Sequence, residues 1–235
     1  MKKPEIKKAL KITRFTALFL CTIIGGCGIL RAPESDRGQL EQELKHNEQI
    51  LNTADATPET WDYPQAKRSK APAGKRSVDQ SISVIGDSVF LGAAPSFKKM
   101  CRQAIIDAKV SRQVYHGIKV AKSMNKKKRL GNTVIIALGT NGNFSLDTGQ
   151  KLIDYLGKDR TIYWIEAYGK NLDIQKQVNR TIRNLVRKNS NVHLIPWAKE
   201  GPKHPGWFYQ DGIHLNVRGQ EGFSRFIKKS ISAAP

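Results

Sequence analysis

Cysteine is scarce in this chain of 235 residues, which has three: Cys21, Cys27 and Cys101. Two of them lie in an apolar N-terminal segment, so the remainder has one thiol and an internal disulfide framework is excluded. Cys101 follows Met100 in a stretch that indicates a helix, Ala94–Ala108, and we expect a buried, inert thiol there. No ligand spacing typical of a metal site is recognisable, so we expect neither a metal nor another cofactor.

Acidic side chains are also few, with 20 Asp and Glu against 40 Lys and Arg and a formal net charge of +20. Long-range attraction of this sign favours polyanions or anionic membrane surfaces as partners. The runs Lys98–Lys99 and Lys126–Arg129 lack the interleaved aromatic residues that a stacking-based binder of single-stranded nucleic acid needs. They indicate solvated basic faces, and we expect no nucleic-acid partner.

Long apolar runs are limited to Phe15–Leu30, which follows the basic segment Lys2–Arg14. This order is typical of an export signal. The run has about 16 apolar or small residues, short of the roughly 20 of a comfortable membrane-spanning helix, so a cleavable signal and a short anchor both stay open. Within it, Ile24–Cys27 resembles a bacterial lipoprotein signal, in which Cys27 would be lipidated; the alternative is an uncleaved anchor with an incidental cysteine.

In both cases the positive flank stays in the cytoplasm and the remainder is exported. We therefore expect an extracytoplasmic protein held at the bacterial cell membrane by residues 1–30. Residues 31–77 are polar, contain four prolines and predict a partly disordered tether, interrupted by a short helix within Gly38–Leu51. Residues 78–235 then form the single domain that the chain length allows.

Within residues 78–235, short apolar runs alternate with longer amphipathic stretches, the order of an α/β fold. The apolar runs are nearly continuous, as expected of parallel strands covered by helices on both faces. We predict a three-layer sandwich around a central, mostly parallel sheet. The predicted strands are Ser81–Ile85, Thr133–Leu138, Thr161–Ala167 and Asn191–Ile195, and the amphipathic stretches are Phe90–Ala108, Thr148–Leu156, Leu172–Asn189 and Gly219–Ile231.

Ligand sites of such sheets lie at the carboxyl ends of the strands, where two motifs follow apolar runs. In Gly86-Asp87-Ser88, the serine stands at the predicted start of a helix and is a candidate nucleophile; taken alone, a helix N-cap explains it as well. In Gly139-Thr140-Asn141-Gly142, Asn141 is a candidate donor to an oxyanion, although an Asn-Gly turn needs no chemistry.

A third motif near the C-terminus combines Asp211 and His214, three residues apart. This spacing lets the carboxylate orient the imidazole, which could then take the proton from Ser88. The alternatives are an incidental surface pair, or a zinc site that adds His204 without a recognisable ligand spacing.

The order of the three motifs resembles the SGNH/GDSL hydrolase superfamily over nearly all of residues 78–235. More narrowly, Ile106–Gln113, Leu138–Gly142 and Trp207–Leu215 look like the extracellular SGNH domain of Gram-positive peptidoglycan O-acetyltransferases. The resemblance implies a flavodoxin-like catalytic domain and an SGNH/GDSL-type serine esterase or O-acyltransferase.

By this resemblance Ser88 is the nucleophile, His214 the general base and then acid, and Asp211 its orienting partner. The oxyanion hole would combine the backbone N–H groups of Ser88 and Ser111 with the amide of Asn141. Ser111 departs from the superfamily, which has glycine in this second block, and its side chain would narrow the hole.

The implied function is an O-acetyltransferase or acetylesterase acting on cell-wall glycan or another acylated polysaccharide. The acetyltransferases carry a large multi-helix membrane domain, so a separate multi-spanning acyltransferase is a candidate acyl donor. Anionic wall polymers would attract the basic surface.

Trp207, Phe208 and Tyr209 could form a wall of the pocket or belong to the core. The alternatives are a non-catalytic basic wall-binding module and a lipase or lysophospholipase-type esterase.

Overall fold

The computed structural model describes residues 34–53 and 82–233. Five parallel strands form the centre of this part of the chain: β1 (Ile82–Gly86), β2 (Ile105–Ala108), β3 (Thr133–Ala137), β4 (Thr161–Ile165) and β5 (Val192–Ile195). Their order in the sheet is β2-β1-β3-β4-β5. The predicted α/β sandwich with its parallel sheet is confirmed. From β1 the chain adds β2 on one side and then crosses back to add β3, β4 and β5 on the other side.

Helices cover both faces of this sheet and create two separate cores. Along β1 the side chains alternate, so that Val84 packs in one core and Ile85 in the other, both fully buried. The first core contains residues of α1 (Glu34–Asn52), α2 (Ser88–Met100), α6 (Trp197–Glu200) and α7 (Val217–Ser232), and the second contains residues of α3 (Gly117–Lys126), α4 (Leu146–Leu156) and α5 (Gln175–Lys188).

The stretch Phe90–Ala108 differs from the sequence prediction. Helix α2 ends at Met100 instead of continuing to Ala108, and Ile105–Ala108 is the edge strand β2. A run of four residues is too short for its periodicity to separate strand from helix, which explains the error. Cys101 is buried, as expected, and its backbone N–H donates to the Phe97 carbonyl at the end of α2.

Helix α1 lies within the predicted tether and packs on the domain. Its side chains Leu40 and Leu44 are 1% and 2% exposed, in the same core as α2 and α7. Of the segments described, no helix is long and apolar enough to cross a membrane. The predicted membrane segment, Cys27 and most of the tether lie outside the described residues, and the division at residues 30 and 77 stays a prediction.

Candidate active site

Ser88 is the first residue of α2 and follows β1 at the carboxyl edge of the sheet. The turn is tight, because a Cβ atom on Gly86 would lie 2.8 Å from the Cβ of Phe90 and 3.2 Å from that of Ala108. Asp87 caps the helix by accepting from the Val89 N–H at 3.0 Å. The cap is therefore Asp87, and the Ser88 hydroxyl is left for another partner.

That partner is His214, whose Nε2 lies 2.9 Å from the Ser88 Oγ. On the other side of the ring, Nδ1 lies 2.6 Å from Oδ2 of Asp211. With Asp211 ionised, Nδ1–H donates to the carboxylate, so Nε2 is free to accept the serine proton. All three residues are at most 5% exposed. The structure thus brings together the three residues that the sequence motifs placed in a catalytic set.

Asp211 is held as a carboxylate by its surroundings. Its Oδ1 accepts from the backbone N–H groups of Ile213 at 2.8 Å and His214 at 2.9 Å. Burial opposes ionisation, but the hydrogen bond and charge of His214 together with these amides outweigh it and lower the pKa of Asp211. The carboxylate is therefore positioned and charged before any substrate binds.

Residues 209–215, which we call the acid–base loop, are closed by their own backbone. The Tyr209 N–H donates to the His214 carbonyl at 2.8 Å, and the Gly212 N–H donates to the Tyr209 carbonyl at 2.9 Å. Gly212 has φ 69°, in the left-handed region that glycine adopts without strain. Its carbonyl accepts from the Lys170 N–H at 2.8 Å, which ties the loop to the segment after β4.

The predicted oxyanion donors line the same cleft as Ser88 and His214. Ser111 has φ 58°, a left-handed conformation that favours glycine and explains why a glycine would suit this position. Asn141 follows β3, and its Nδ2 donates to the Thr140 Oγ1 at 3.1 Å and to the Arg112 carbonyl at 3.4 Å. The amide is thus held between the loops that follow β3 and β2.

Arg112 anchors the Ser111 loop and was not identified from the sequence. Its guanidinium is buried, donates to the Gly86 carbonyl at 3.1 Å, and forms an ion pair with Asp107 at 2.6 Å. The ends of β1 and β2 are therefore joined beside the nucleophile. The sequence signal that could have indicated this role is that Asp107 and Arg112, which have opposite charges, lie on either side of Ser111, where the superfamily has glycine.

Asp87 connects the first two motifs. Its Oδ2 accepts from the Thr140 Oγ1 at 2.7 Å, which fixes the loop after β3 against the start of α2. Burial raises the pKa of Asp87, although the hydrogen bonds from Thr140 and Val89 oppose the shift. This carboxyl supports the site through these hydrogen bonds and does not line the cleft that contains Ser88.

The cleft over Ser88 has a volume of about 390 Å³. Its walls mix apolar and polar side chains. Leu172, Ile174 and Ile213 supply apolar surface, while Gln113 and Asp173 are among the polar residues of its lining. Such a cleft suits a small acyl group together with a larger, hydroxyl-rich molecule.

Two sequence hypotheses do not match this geometry. Trp207, Phe208 and Tyr209 pack with the core of α2 and α7 and are absent from the lining of the cleft, so the pocket-wall hypothesis is wrong. His204 hydrogen-bonds Glu200 at 3.0 Å and stacks on Trp207, which leaves the zinc alternative without support. Across residues 34–53 and 82–233, no group of three His, Cys, Asp or Glu side chains could hold a metal ion.

Comparison with known proteins supports the same class of domain. No protein-family profile matches the chain. O-acetyltransferase OatA of Staphylococcus aureus (strain NCTC 8325 / PS 47) is 36% identical over 149 residues, which are 63% of this chain and 24% of the relative. The chain thus spans about a quarter of the length of this curated relative.

Solved structures share the fold. The C-terminal catalytic domain of Streptococcus pneumoniae peptidoglycan O-acetyltransferase A, with a methylsulfonyl adduct, superposes with a TM-score of 0.59 at 22% identity, covering 66% of this chain and 94% of that domain. A member of the lipolytic protein G-D-S-L family from Veillonella parvula superposes with a TM-score of 0.53 at 15% identity, covering 65% and 98%.

These comparisons confirm the resemblance to the SGNH/GDSL superfamily and, more narrowly, to the peptidoglycan O-acetyltransferases. The names of these relatives favour the predicted class of enzyme, an SGNH/GDSL-type serine esterase or O-acyltransferase. The role of each site residue stays a prediction that rests on the geometry above.

Proposed function

We propose that this chain, which carries an SGNH/GDSL-type enzyme domain, transfers acetyl groups to or from a cell-wall glycan through an acyl-enzyme on Ser88. The observation that carries the proposal is the continuous hydrogen-bond path from Ser88 through His214 to Asp211, which opens into the cleft. A serine hydroxyl is a poor nucleophile unless an adjacent base takes its proton, and this path supplies that base.

In the first half-reaction, the Ser88 Oγ attacks the acetyl carbonyl while its proton passes to the His214 Nε2. The resulting oxyanion is stabilised by the backbone N–H groups of Ser88 and Ser111 and by the Asn141 amide. As the carbonyl re-forms, the bond to the leaving oxygen breaks, and that oxygen takes the proton from His214. The product is acetyl-Ser88, and Asp211 stabilises the imidazolium on the way.

In the second half-reaction, His214 removes the proton of an acceptor hydroxyl, which attacks the acetyl carbon. The bond from that carbon to the Ser88 Oγ then breaks, and Ser88 takes the proton back from His214. A sugar hydroxyl gives an O-acetylated glycan, and water gives free acetate. The apolar wall of Leu172, Ile174 and Ile213 supports transfer, because it excludes water from one side of the ester. The solved relative named peptidoglycan O-acetyltransferase A favours peptidoglycan as the acceptor.

A basic groove beside the cleft supports an anionic wall polymer as a binding partner. This groove has a volume of about 420 Å³, shares Ser111 with the cleft, and is lined by Lys109, His116 and Lys119. Its acidic residue, Asp107, is neutralised by the buried Arg112. A polymer with phosphate or carboxylate groups could lie there while a neighbouring unit enters the cleft.

The cellular location and the acyl donor complete the proposal. The basic segment followed by Phe15–Leu30 supports export and retention at the membrane, with Cys27 as the lipidation site. A separate multi-spanning membrane acyltransferase would deliver the acetyl group to Ser88 on the outer side. Incorporation of labelled palmitate into the wild-type chain and its absence from Cys27→Ala would support lipidation; equal labelling would contradict it.

The acyl-enzyme is tested with full-length protein and p-nitrophenyl acetate. We expect a burst of p-nitrophenol equal to the enzyme concentration, and mass spectrometry should find one acetyl group on the peptide that contains Ser88. Ser88→Ala should abolish both signals. Ser230→Ala is the matched control, because this serine only bonds the Phe226 carbonyl of its own helix. Equal activity of Ser88→Ala and Ser230→Ala would refute the nucleophile.

The acceptor is tested by adding peptidoglycan oligosaccharides to the same reaction. Acetylated sugar supports a transferase, whereas free acetate alone identifies an esterase.

Replacing Lys109 and Lys119 by glutamine should raise the KM for an anionic wall polymer but not for p-nitrophenyl acetate. Lys151→Gln is the control, because Lys151 lies on α4 and does not line the groove. An unchanged KM for the polymer would remove the groove from the binding site.

A further inference from the structure

Helix α1 completes the helix that carries the nucleophile. Pro95 lies inside α2 and has no N–H, so the Leu91 carbonyl, four residues earlier, lacks its helical partner. Asn47 of α1 supplies a donor: its Nδ2 lies 3.1 Å from the Leu91 carbonyl and 3.4 Å from that of Gly92. A segment distant in sequence therefore satisfies the backbone of the helix that begins at Ser88.

One turn earlier on α1, Glu43 contacts the acid–base loop. Its Oε2 accepts from the Tyr209 hydroxyl at 3.0 Å, and its Oε1 accepts from the Gln220 side-chain amide. The same Gln220 amide donates to the Leu215 carbonyl at 3.0 Å. Tyr209 and Leu215 are the two ends of the loop, so a single carboxylate holds both ends, one directly and one through Gln220.

The contact at Tyr209 reaches the base itself. Its backbone N–H donates to the His214 carbonyl at 2.8 Å, so a displaced Tyr209 would displace the imidazole. Burial raises the pKa of Glu43, while the hydrogen bonds from Tyr209 and Gln220 and the charge of His214 oppose the shift. Glu43 is therefore a partly buried group with defined partners and an electrostatic interaction with His214.

We propose that Glu43 is a positioning residue for the acyl transfer: it fixes the acid–base loop from outside, so that the His214 Nε2 stays within reach of the Ser88 hydroxyl. This inference rests on the proposed function and extends the site to a helix from the predicted tether. A displacement of about 1 Å at a catalytic group can cost on the order of 100-fold in rate, which gives such an anchor its importance.

The test compares full-length Glu43→Ala with Glu41→Ala, an exposed glutamate on the same helix whose ion pair is with Arg37. Active enzyme is counted by titrating Ser88 with a sulfonyl fluoride, so that loss of folded protein is removed from the rate. We expect Glu43→Ala to lower the normalised kcat for p-nitrophenyl acetate by about 10-fold or more with little change in KM. Glu41→Ala should match the wild type.

Two further variants separate positioning from general stability. Glu43→Gln keeps the length and an acceptor oxygen and should restore much of the normalised kcat. Tyr209→Phe should lower it, and the double variant Glu43→Ala/Tyr209→Phe should lose no more than Glu43→Ala alone, because both changes remove the same contact. Effects that multiply would overturn the proposal, as would a normalised kcat of Glu43→Ala equal to that of Glu41→Ala. If Ser88→Ala were fully active, the proposed function itself would fail.

Discussion

Asp211→Asn removes one charge and keeps the shape of the side chain, and its consequences follow from three hydrogen bonds. In the wild type, Oδ2 accepts from His214 Nδ1–H, and Oδ1 accepts from two backbone N–H groups, those of Ile213 and His214. An amide has one acceptor oxygen and one donor nitrogen. Its NH₂ group must therefore face either the imidazole or the backbone amides.

The two orientations have different costs. If the NH₂ group faces the imidazole, the ring must accept at Nδ1 and carry its proton on Nε2, where it can no longer take the Ser88 proton. If the NH₂ group faces the backbone, two buried donors lose their partner, at about 1–3 kcal/mol each. We expect the first orientation and a fall in kcat of about 10⁴-fold, as for the same change in a serine triad, which corresponds to about 5 kcal/mol in activation free energy.

The assay is hydrolysis of p-nitrophenyl acetate by the full-length chain, with circular dichroism to establish that the variant is folded. Asp173→Asn is the matched control, because this aspartate lines the cleft and is exposed. A kcat for Asp211→Asn within about 10-fold of the wild type would refute the reasoning, since the base would then not depend on its tautomer.

Three more outcomes follow from the structure. Because burial raises the folded-state pKa of Asp87, the stability associated with its protonated form is present below its usual value of 3.8 and lost as the pH rises through the folded-state value. The difference in unfolding free energy between Asp87→Asn and the wild type should therefore be more favourable to the variant at pH 7 than at pH 3. Equal differences at the two pH values would contradict this. Gly219→Ala should lower the unfolding free energy by about 1–3 kcal/mol in urea titrations, because its Cβ would lie 2.0 Å from the Trp207 carbonyl oxygen. Ser111→Gly should fold at least as well as the wild type, whereas Ser111→Val should lose about 1–3 kcal/mol, because a β-branched residue is disfavoured at φ 58°; equal thermal midpoints for the two variants would oppose this account.

The local features of the site were predictable because each depends on a short sequence pattern. A glycine between an apolar strand and Ser88, and the spacing of Asp211 and His214, place these groups at element ends that short-range sterics determine. The edge strand β2 was missed, because its four residues carry too little periodicity. Trp207 was assigned to the pocket in one hypothesis, since an aromatic side chain suits a sugar and a core equally well.

Helix α1, which lies in the predicted tether, shows a different limit of prediction from sequence. The spacing of Leu40 and Leu44 predicted a helix with an apolar face, but an apolar face does not specify the surface that it covers. Only the folded chain shows that Glu43 reaches Tyr209, 166 positions later. Hydrogen bonds between distant segments depend on the angle at which helices cross, and the pattern of apolar residues does not specify that angle.

The sequence by itself determined the α/β class, the identity of the three motif residues and the basic character of the surface, because each depends on composition or on neighbours along the chain. The tertiary structure alone decided that Ser88 and His214 lie 2.9 Å apart, that Arg112 anchors the Ser111 loop, and that α1 belongs to the body of the domain. The reason is that parallel strands bring their carboxyl ends to one edge, where loops remote in sequence become neighbours.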